Sequence, residues 1–188
     1  LGDVYKRQSL SGTLYYDTRY DSTREVCHWI VDGIRHKAVA IQRIGEVKPG
    51  QNADEFIIIG SPIYVGKPLA SVSEFIRSKK DRWIHKPVFV FVTSWAEATM
   101  YRHECNRFLD LVISQLSPIE PVLSRSLPGK LLLEQTTQRD QNVMRRLLRR
   151  INAMSEEFHA EAAQFTDMRN QEECRQFGKD IETALMGQ

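Results

Sequence analysis

The chain has 188 residues, 41% of them hydrophobic and 27% charged, which is the balance of one globular domain with a sizeable core and excludes a disordered segment. The formal net charge of +2 selects no class of partner, and no apolar run approaches the roughly 20 residues that cross a bilayer as a helix. Cys27, Cys105 and Cys174 are odd in number and far apart, and the five histidines are scattered; neither set has metal-ligand spacing, so no metal site is expected and the cysteines read as reduced thiols in a cytoplasmic setting.

The opening residues, LGDVYKRQ, carry no periodic pattern and no starting methionine. They read as a translated cloning or sequencing-adapter scar. Residues 1–10 are therefore set apart as a non-native lead-in to a single domain over 11–188, and no apolar secretory leader is visible. Residues 13–16, TLYY, form a β-prone run, and the polar loop DTRYDS follows. From Thr23 to about His36, Val26, Cys27, Ile30 and Ile34 recur at helical spacing. AVAIQ, 38–42, reads as a second strand. After KPGQNAD comes EFIIIG, a continuous apolar run of the kind found in a central parallel strand covered on both faces. This strand is expected to stop at Gly60, where the loop GSPIYVGKP begins.

Residues 69–80 return to helical spacing through Leu69, Val72, Phe75 and Ile76. KPVFVFVTS is a second doubly buried strand, and 101–116 are helical through Phe108, Leu109, Val112, Ile113 and Leu116. A weaker strand region lies between Ile119 and Leu133, interrupted by Pro128 and Gly129 and so open to division into two pieces. Helical segments over 139–154 and 169–186 close the chain. Strands alternating with helices predict right-handed βαβ units and a doubly wound parallel sheet with helices on both faces. Ligands of such sheets sit at the carboxyl ends of the strands, near the point where strand order reverses.

Three loops fall at that edge. In DTRYDSTRE, residues 17–25, Ser22 and Glu25 have the spacing of a capping box. The excess of hydroxyls at Thr18, Ser22 and Thr23 suits an anion over the helix start, where free amides and the helix dipole point, and Arg19 adds charge. No G-x-G-x-x-G or Walker lysine pattern accompanies it, which disfavours dinucleotides and nucleoside triphosphates. In the second loop Pro62 and Gly66 constrain a turn around Ile63, Tyr64 and Val65, and the Tyr64 ring suits a flat aromatic ligand. The third loop, TSWAEATMYR, brings Trp95 to the same edge. Each loop alone also reads as capping, a surface turn or core packing. Together they describe a seat for a phosphorylated planar cofactor.

The order strand–DTRYDSTRE–helix, then IIIGSPIYVGK, then KPVFVFVTS resembles the flavodoxin-like fold. Within it the chain is most similar to the group that includes the menaquinone-dependent protoporphyrinogen oxidases. NVMRRLLRRINAM resembles that group's inserted basic helix, and FTDMRNQEECRQFGKDI its closing stretch. The likeness covers residues 13–186. It implies a five-stranded parallel sheet with an inserted basic amphipathic helix, and FMN as cofactor. Thr18, Arg19, Ser22 and Thr23 would hold the phosphate; Pro62, Ile63, Tyr64, Val65 and Gly66 would line one flavin edge and face, and Ser94, Trp95 and Ala96 the other. The resemblance implies oxidation of protoporphyrinogen IX to protoporphyrin IX, a step of heme biosynthesis, with electrons passing to a quinone. The flavin carries the chemistry and no side chain is assigned as catalytic. The chain departs from the family at Asp17, where a small residue is usual, at Asp21, where glycine is common, and at Tyr64, which replaces the basic residue of some members. Two carboxylates beside a phosphate dianion repel it unless they turn outward or find another donor.

In the inserted segment Val143, Met144, Leu147, Leu148, Ile151 and Met154 fall on one side of a helix, and Arg145, Arg146, Arg149 and Arg150 largely on the other. Such a face suits plain solvation, an anionic membrane surface or a substrate bearing carboxylates. Nucleic acid is disfavoured, because a broad basic face with interleaved aromatics is absent. The expected protein is thus a cytoplasmic FMN oxidoreductase, peripheral on the inner face of the membrane. A flavodoxin-type electron carrier or general quinone reductase is the alternative. A flavin-free binding scaffold, its cofactor lost through Asp17 and Asp21, is the alternative of another class.

Overall fold

Strands and helices alternate along the chain as the periodicity predicts. The computed structural model describes residues 11–48, 54–98, 102–130, 136–152 and 167–187. The expected lead-in over 1–10, the far end of the weak strand region and Met154 lie outside them. In order the elements are β1 (Ser11–Tyr16), α1 (Ser22–Gly33), β2 (Ala38–Arg43), β3 (Phe56–Tyr64), β4 (Lys67–Pro68), α2 (Ala70–Lys79), β5 (Val88–Ser94), α3 (Cys105–Leu116), β6 (Leu123–Pro128), α4 (Gln138–Asn152) and α5 (Gln171–Met186). Single 3₁₀ turns follow β2, α2 and β5 and precede α3.

Five strands form a parallel sheet in the order β2-β1-β3-β5-β6. The chain winds outward from β1 to β2, then crosses back over β1 to β3, so the order reverses between β1 and β3. This is the flavodoxin-like arrangement, and its reversal point leaves a crevice at the carboxyl ends of those two strands.

Alternate residues of each central strand face opposite helix layers. Leu14, Phe56, Ile58, Phe89 and Phe91 pack with Val26, Ile30, Phe177 and Ile181 of α1 and α5. Tyr15, Ile57, Ile59, Val88 and Val90 pack with Val72, Ile76, Val112 and Leu116 of α2 and α3. Because both faces are covered, FIII and VFVFV show no polar alternation. Each such side chain, fully buried, contributes about 1.5–3 kcal/mol of hydrophobic stabilisation. Gly33 and Gly178 let α1 and α5 cross closely: a Cβ on Gly178 would lie 2.0 Å from the Ile30 carbonyl oxygen.

Several boundaries differ from expectation. β3 does not stop at Gly60. Gly60, Ser61 and Pro62 continue to pair with Phe91, Val92 and Thr93 of β5, whereas β1 last pairs at Gly60. Beyond that residue β3 is an edge on the β1 side, and a proline without an N–H is tolerated there. The chain then reverses through Val65 (φ 50°) and Gly66 (φ 74°) and returns as β4, with Tyr64 opposite Lys67. Two left-handed residues in a two-residue loop make the hairpin turn that matches strand twist. Among the described residues the region after Ile119 yields one strand, β6, which ends at Pro128. As the sheet edge it is half covered, which accounts for its weak apolar pattern.

Candidate functional site at the carboxyl edge of the sheet

The ends of β1, β3, β5 and β6 deliver four loops to one rim, and a cleft opens between them. Its walls include Thr18, Arg19 and Ser22 from the first loop, Pro62, Ile63, Tyr64, Val65 and Gly66 from the β3–β4 hairpin, and Ser94, Trp95 and Ala96 from the end of β5. Eleven of the twelve residues expected to hold a cofactor therefore meet. The exception is Thr23. It is fully buried in α1, and its Oγ1 lies 3.4 Å from Thr93 Oγ1. The hydroxyl expected to face an anion instead joins α1 to β5, and Thr93 takes its place on the wall.

The capping box is not formed. α1 already begins at Ser22, and the cap position is Asp21, which is left-handed (φ 58°) and makes no side-chain cap bond. Glu25 is drawn away by Arg169, whose nearly buried guanidinium also holds Asp167 at 2.6 Å and donates to the Ser22 carbonyl at 3.3 Å. The first turn of α1 is thus clamped from α5's leading segment, and the Ser22 hydroxyl is left to the cleft. One turn earlier, Thr18 is buried, and its Oγ1 has no hydrogen-bond partner among the described residues. A buried hydroxyl without a partner costs about 1–3 kcal/mol, so this donor is poised for something in the cleft.

The two carboxylates that departed from the family pattern are both engaged elsewhere. Asp17 accepts from Arg43 Nε at 2.9 Å, Ser71 Oγ at 2.6 Å and the Thr18 amide at 2.8 Å. Burial alone would raise its pKa, but these donors outweigh it and hold the group below the ordinary carboxylate value. Asp21 points to Arg24 at 3.7 Å and is exposed. Neither residue lines the cleft.

Arg19, expected to add charge at this end of the cleft, is paired. Its Nε lies 2.8 Å from Asp140 of α4, and its guanidinium sits 4.5 Å over the Tyr64 ring. Asp140 also accepts from the Tyr20 hydroxyl. The Tyr64 hydroxyl makes no hydrogen bond of normal geometry, yet Asp140 is its polar neighbour, and burial first and this carboxylate second push the Tyr64 pKa up.

The hairpin wall is strained at Val65, a β-branched residue held at φ 50° and 47% exposed. Such outliers persist where neighbours over-determine them, and they gather at ligand clamps. Ser61 Oγ steadies its base by accepting from the Leu69 amide at 3.2 Å. On the opposite side the Gly129 amide donates to the Ser94 carbonyl at 2.9 Å, and a Cβ on Gly129 would stand 3.0 Å from the Ser94 backbone. A side chain there would crowd the Ser94–Trp95 backbone, and this close approach brings Lys130 to the rim.

Sequence reasoning missed Tyr20, Thr93, Phe108, Gly129, Lys130 and Thr136 on the walls, and Asp140 behind them. Pro128–Gly129 at the end of a strand was the available signal for the fourth loop. Arg145 and Arg146 are exposed on α4 and are not among the lining residues. Arg149 and Arg150 belong to the same helix, but their side chains lie outside the described set. Among the described residues no group of histidine, cysteine and acidic side chains could hold a metal, the three cysteines are free and buried, and no helix is long and apolar enough to cross a membrane. Chemically, the cleft offers hydroxyls and helix-start amides to an anion at one end and aromatic walls to a flat group at the other.

The sequence profile described as "Flavodoxin domain" matches residues 13–159. Among solved structures, the chain is similar to the rubredoxin oxygen:oxidoreductase of Desulfovibrio gigas, with a TM-score of 0.55 and 15% identity over 95% of this chain and 37% of that one. A flavodoxin from the domain Archaea aligns with a TM-score of 0.53 and 17% identity, covering 94% and 99% of the two chains. The flavodoxin, WrbA-like protein of Agrobacterium tumefaciens aligns with a TM-score of 0.56 and 15% identity, covering 96% and 100%. The chain thus spans little over a third of the Desulfovibrio protein and essentially all of the two smaller ones. No curated protein is significantly similar in sequence.

The Asp17 contacts have a measurable pH signature. Because the folded-state pKa lies below the unfolded value, the group adds stability above the ordinary carboxylate range and loses it as pH falls through its folded value. Asp17→Asn is expected to cost roughly 1–2 kcal/mol at pH 7. Thermal unfolding of both proteins from pH 7 to pH 3 should show this gap closing below about pH 4; a gap independent of pH would contradict the assigned contacts.

Proposed function

The chain belongs to the flavodoxin-domain family, and we propose that its rim cleft binds FMN and that the protein is an FMN-dependent oxidoreductase or electron-transfer protein. The observation that carries this reading is the buried, unpartnered Thr18 hydroxyl on the wall of a cleft that also holds Tyr64 and Trp95. A phosphate ester supplies the acceptor that Thr18 lacks. Ser22 and the amides that open α1 add donors, and the helix dipole favours the negative charge. Asp17 and Asp21 are engaged by Arg43, Ser71 and Arg24 and do not line the cleft, which supports flavin binding over the flavin-free scaffold reading.

Tyr64, backed by the hairpin, and Trp95, at the end of β5, would line the faces of the ring system. Stacking on each adds about 0.5–1.5 kcal/mol beyond burial of area. Pro62, Ile63, Val65 and Gly66 present backbone and apolar atoms to its edge, with Ser94 and Ala96 across the cleft. When bound, the flavin supplies the redox chemistry; the chain's own residues hold, orient and shield it.

The finer reading is oxidation of protoporphyrinogen IX to protoporphyrin IX with a quinone as electron acceptor, carried out on an anionic membrane surface. It is supported by the resemblance of the inserted helix and by that helix's position, since Asp140 in its first turn packs on Arg19 and Tyr20 beside the cleft. The exposed Arg145 and Arg146 suit anionic headgroups or propionates. An electron carrier or general quinone reductase is supported equally by the cleft.

The purified protein is expected to carry flavin absorbance, or to quench the fluorescence of added FMN with one equivalent bound. A colourless protein that leaves FMN fluorescence unchanged would refute the cofactor assignment. The loaded protein should then convert protoporphyrinogen to fluorescent porphyrin only when a menaquinone analogue is present. Quinone reduction by another donor without porphyrin formation would select the carrier or reductase reading instead.

A further inference from the structure

Asp140 lies in the first turn of a helix that the winding of the sheet does not require, yet it is only 3% exposed. Carboxylates are almost never buried so fully unless paired. Its closest partners among the described residues come from the first loop of the cleft: Arg19 through Nε at 2.8 Å and a terminal guanidinium nitrogen at 3.2 Å, and the Tyr20 hydroxyl; Tyr64 of the hairpin lies beside it. The neighbouring Thr137 amide adds a 3.3 Å bond to the same Tyr20 oxygen. α4 therefore grips the two residues that follow Thr18. The arginine it grips is the one whose guanidinium covers the Tyr64 ring.

A guanidinium joined side-on to a buried carboxylate is close to a neutral unit. Burial would raise the Asp140 pKa, but the Tyr20 and Tyr64 hydroxyls and the Arg19 charge outweigh it, so the carboxylate stays ionised at neutral pH. A dianion entering beside Thr18 then gains little from Arg19, because the two anions compete for one cation.

We propose that Asp140 is a positioning residue that holds Arg19 over Tyr64 and away from the phosphate seat, and that it thereby sets how strongly the cleft prefers a phosphorylated flavin to an unphosphorylated one. This rests on the FMN reading above. The first-loop part of the seat is built from neutral donors, and Arg19 is kept in reserve by the inserted helix, while Lys130 across the rim pairs with Asp167. Asp140→Asn removes the charge while its amide oxygen still accepts from Tyr20; Arg19 is then free to reach the phosphate.

The test is the ratio of riboflavin Kd to FMN Kd, measured by fluorescence quenching at low and high salt. Asp140→Asn should raise this ratio at least fivefold and make FMN binding more salt-sensitive. The double variant Arg19→Gln/Asp140→Asn leaves no buried unpaired charge, so it retains the fold, and its ratio should return to within twofold of wild type. An unchanged ratio in Asp140→Asn, or equal weakening of both flavins, would reduce Asp140 to a tether for α4 and overturn the proposal. A fivefold fall in the double variant would show that Arg19 already binds phosphate in the wild type, and would overturn it as well. Wild-type protein that binds neither flavin would instead overturn the FMN reading, and this inference with it.

Discussion

The pairing of β3 between β1 and β5 is the constraint on which the site depends. β1 and β5 both run parallel to it, so their carboxyl ends reach the same edge. Because β1 stops pairing at Gly60 while β5 continues to Pro62, β3 projects past one neighbour and its end folds into the hairpin that carries Tyr64. A shorter β3 would leave that ring without a base. The core fixes this register through side chains that point to opposite faces in strict alternation. A one-residue slip would send every apolar side chain of β3 to the wrong layer.

Electrostatically the rim is arranged by pairing rather than by accumulation of charge. Arg43 takes Asp17, Arg24 faces Asp21, Arg169 takes Glu25 and Asp167, and Arg19 takes Asp140. Apart from the paired Arg19, what the first loop directs at the cleft is neutral: the hydroxyls of Thr18 and Ser22 and the amides that open α1. Neutral donors at a helix start hold an anion through hydrogen bonds and dipoles, with less dependence on ionic strength than a cluster of cations has.

Much of this was legible in the residues. FIII and VFVFV announced doubly covered strands, and the three loops after TLYY, FIII and VFVFV named most of the cleft wall. Glycine and proline at 60, 62 and 66 signalled a turn, but they placed it too early. The continued pairing of Gly60–Pro62 with β5 is a tertiary contact that propensity does not report. The capping box at Ser22 and Glu25 had the right spacing and failed because Arg169, 144 residues from Glu25, competes for the acid. Thr23 was read as a cleft hydroxyl because its neighbours are, yet the turn of α1 directs it at Thr93. Asp140 is the lone acid among the arginines of 139–150, and nothing in that local pattern marks it. Its burial depends on Arg19 and Tyr20, some 120 positions away, and no local pattern foretells that contact.

A crystal structure of the protein with FMN tests most directly where a phosphate and a flat ring sit on this rim. The phosphate is expected within hydrogen-bonding distance of Thr18 Oγ1 and Ser22 at the start of α1, with the ring system between Tyr64 and Trp95. FMN lodged at another surface, with the Thr18 hydroxyl still lacking a partner, would contradict the assignment.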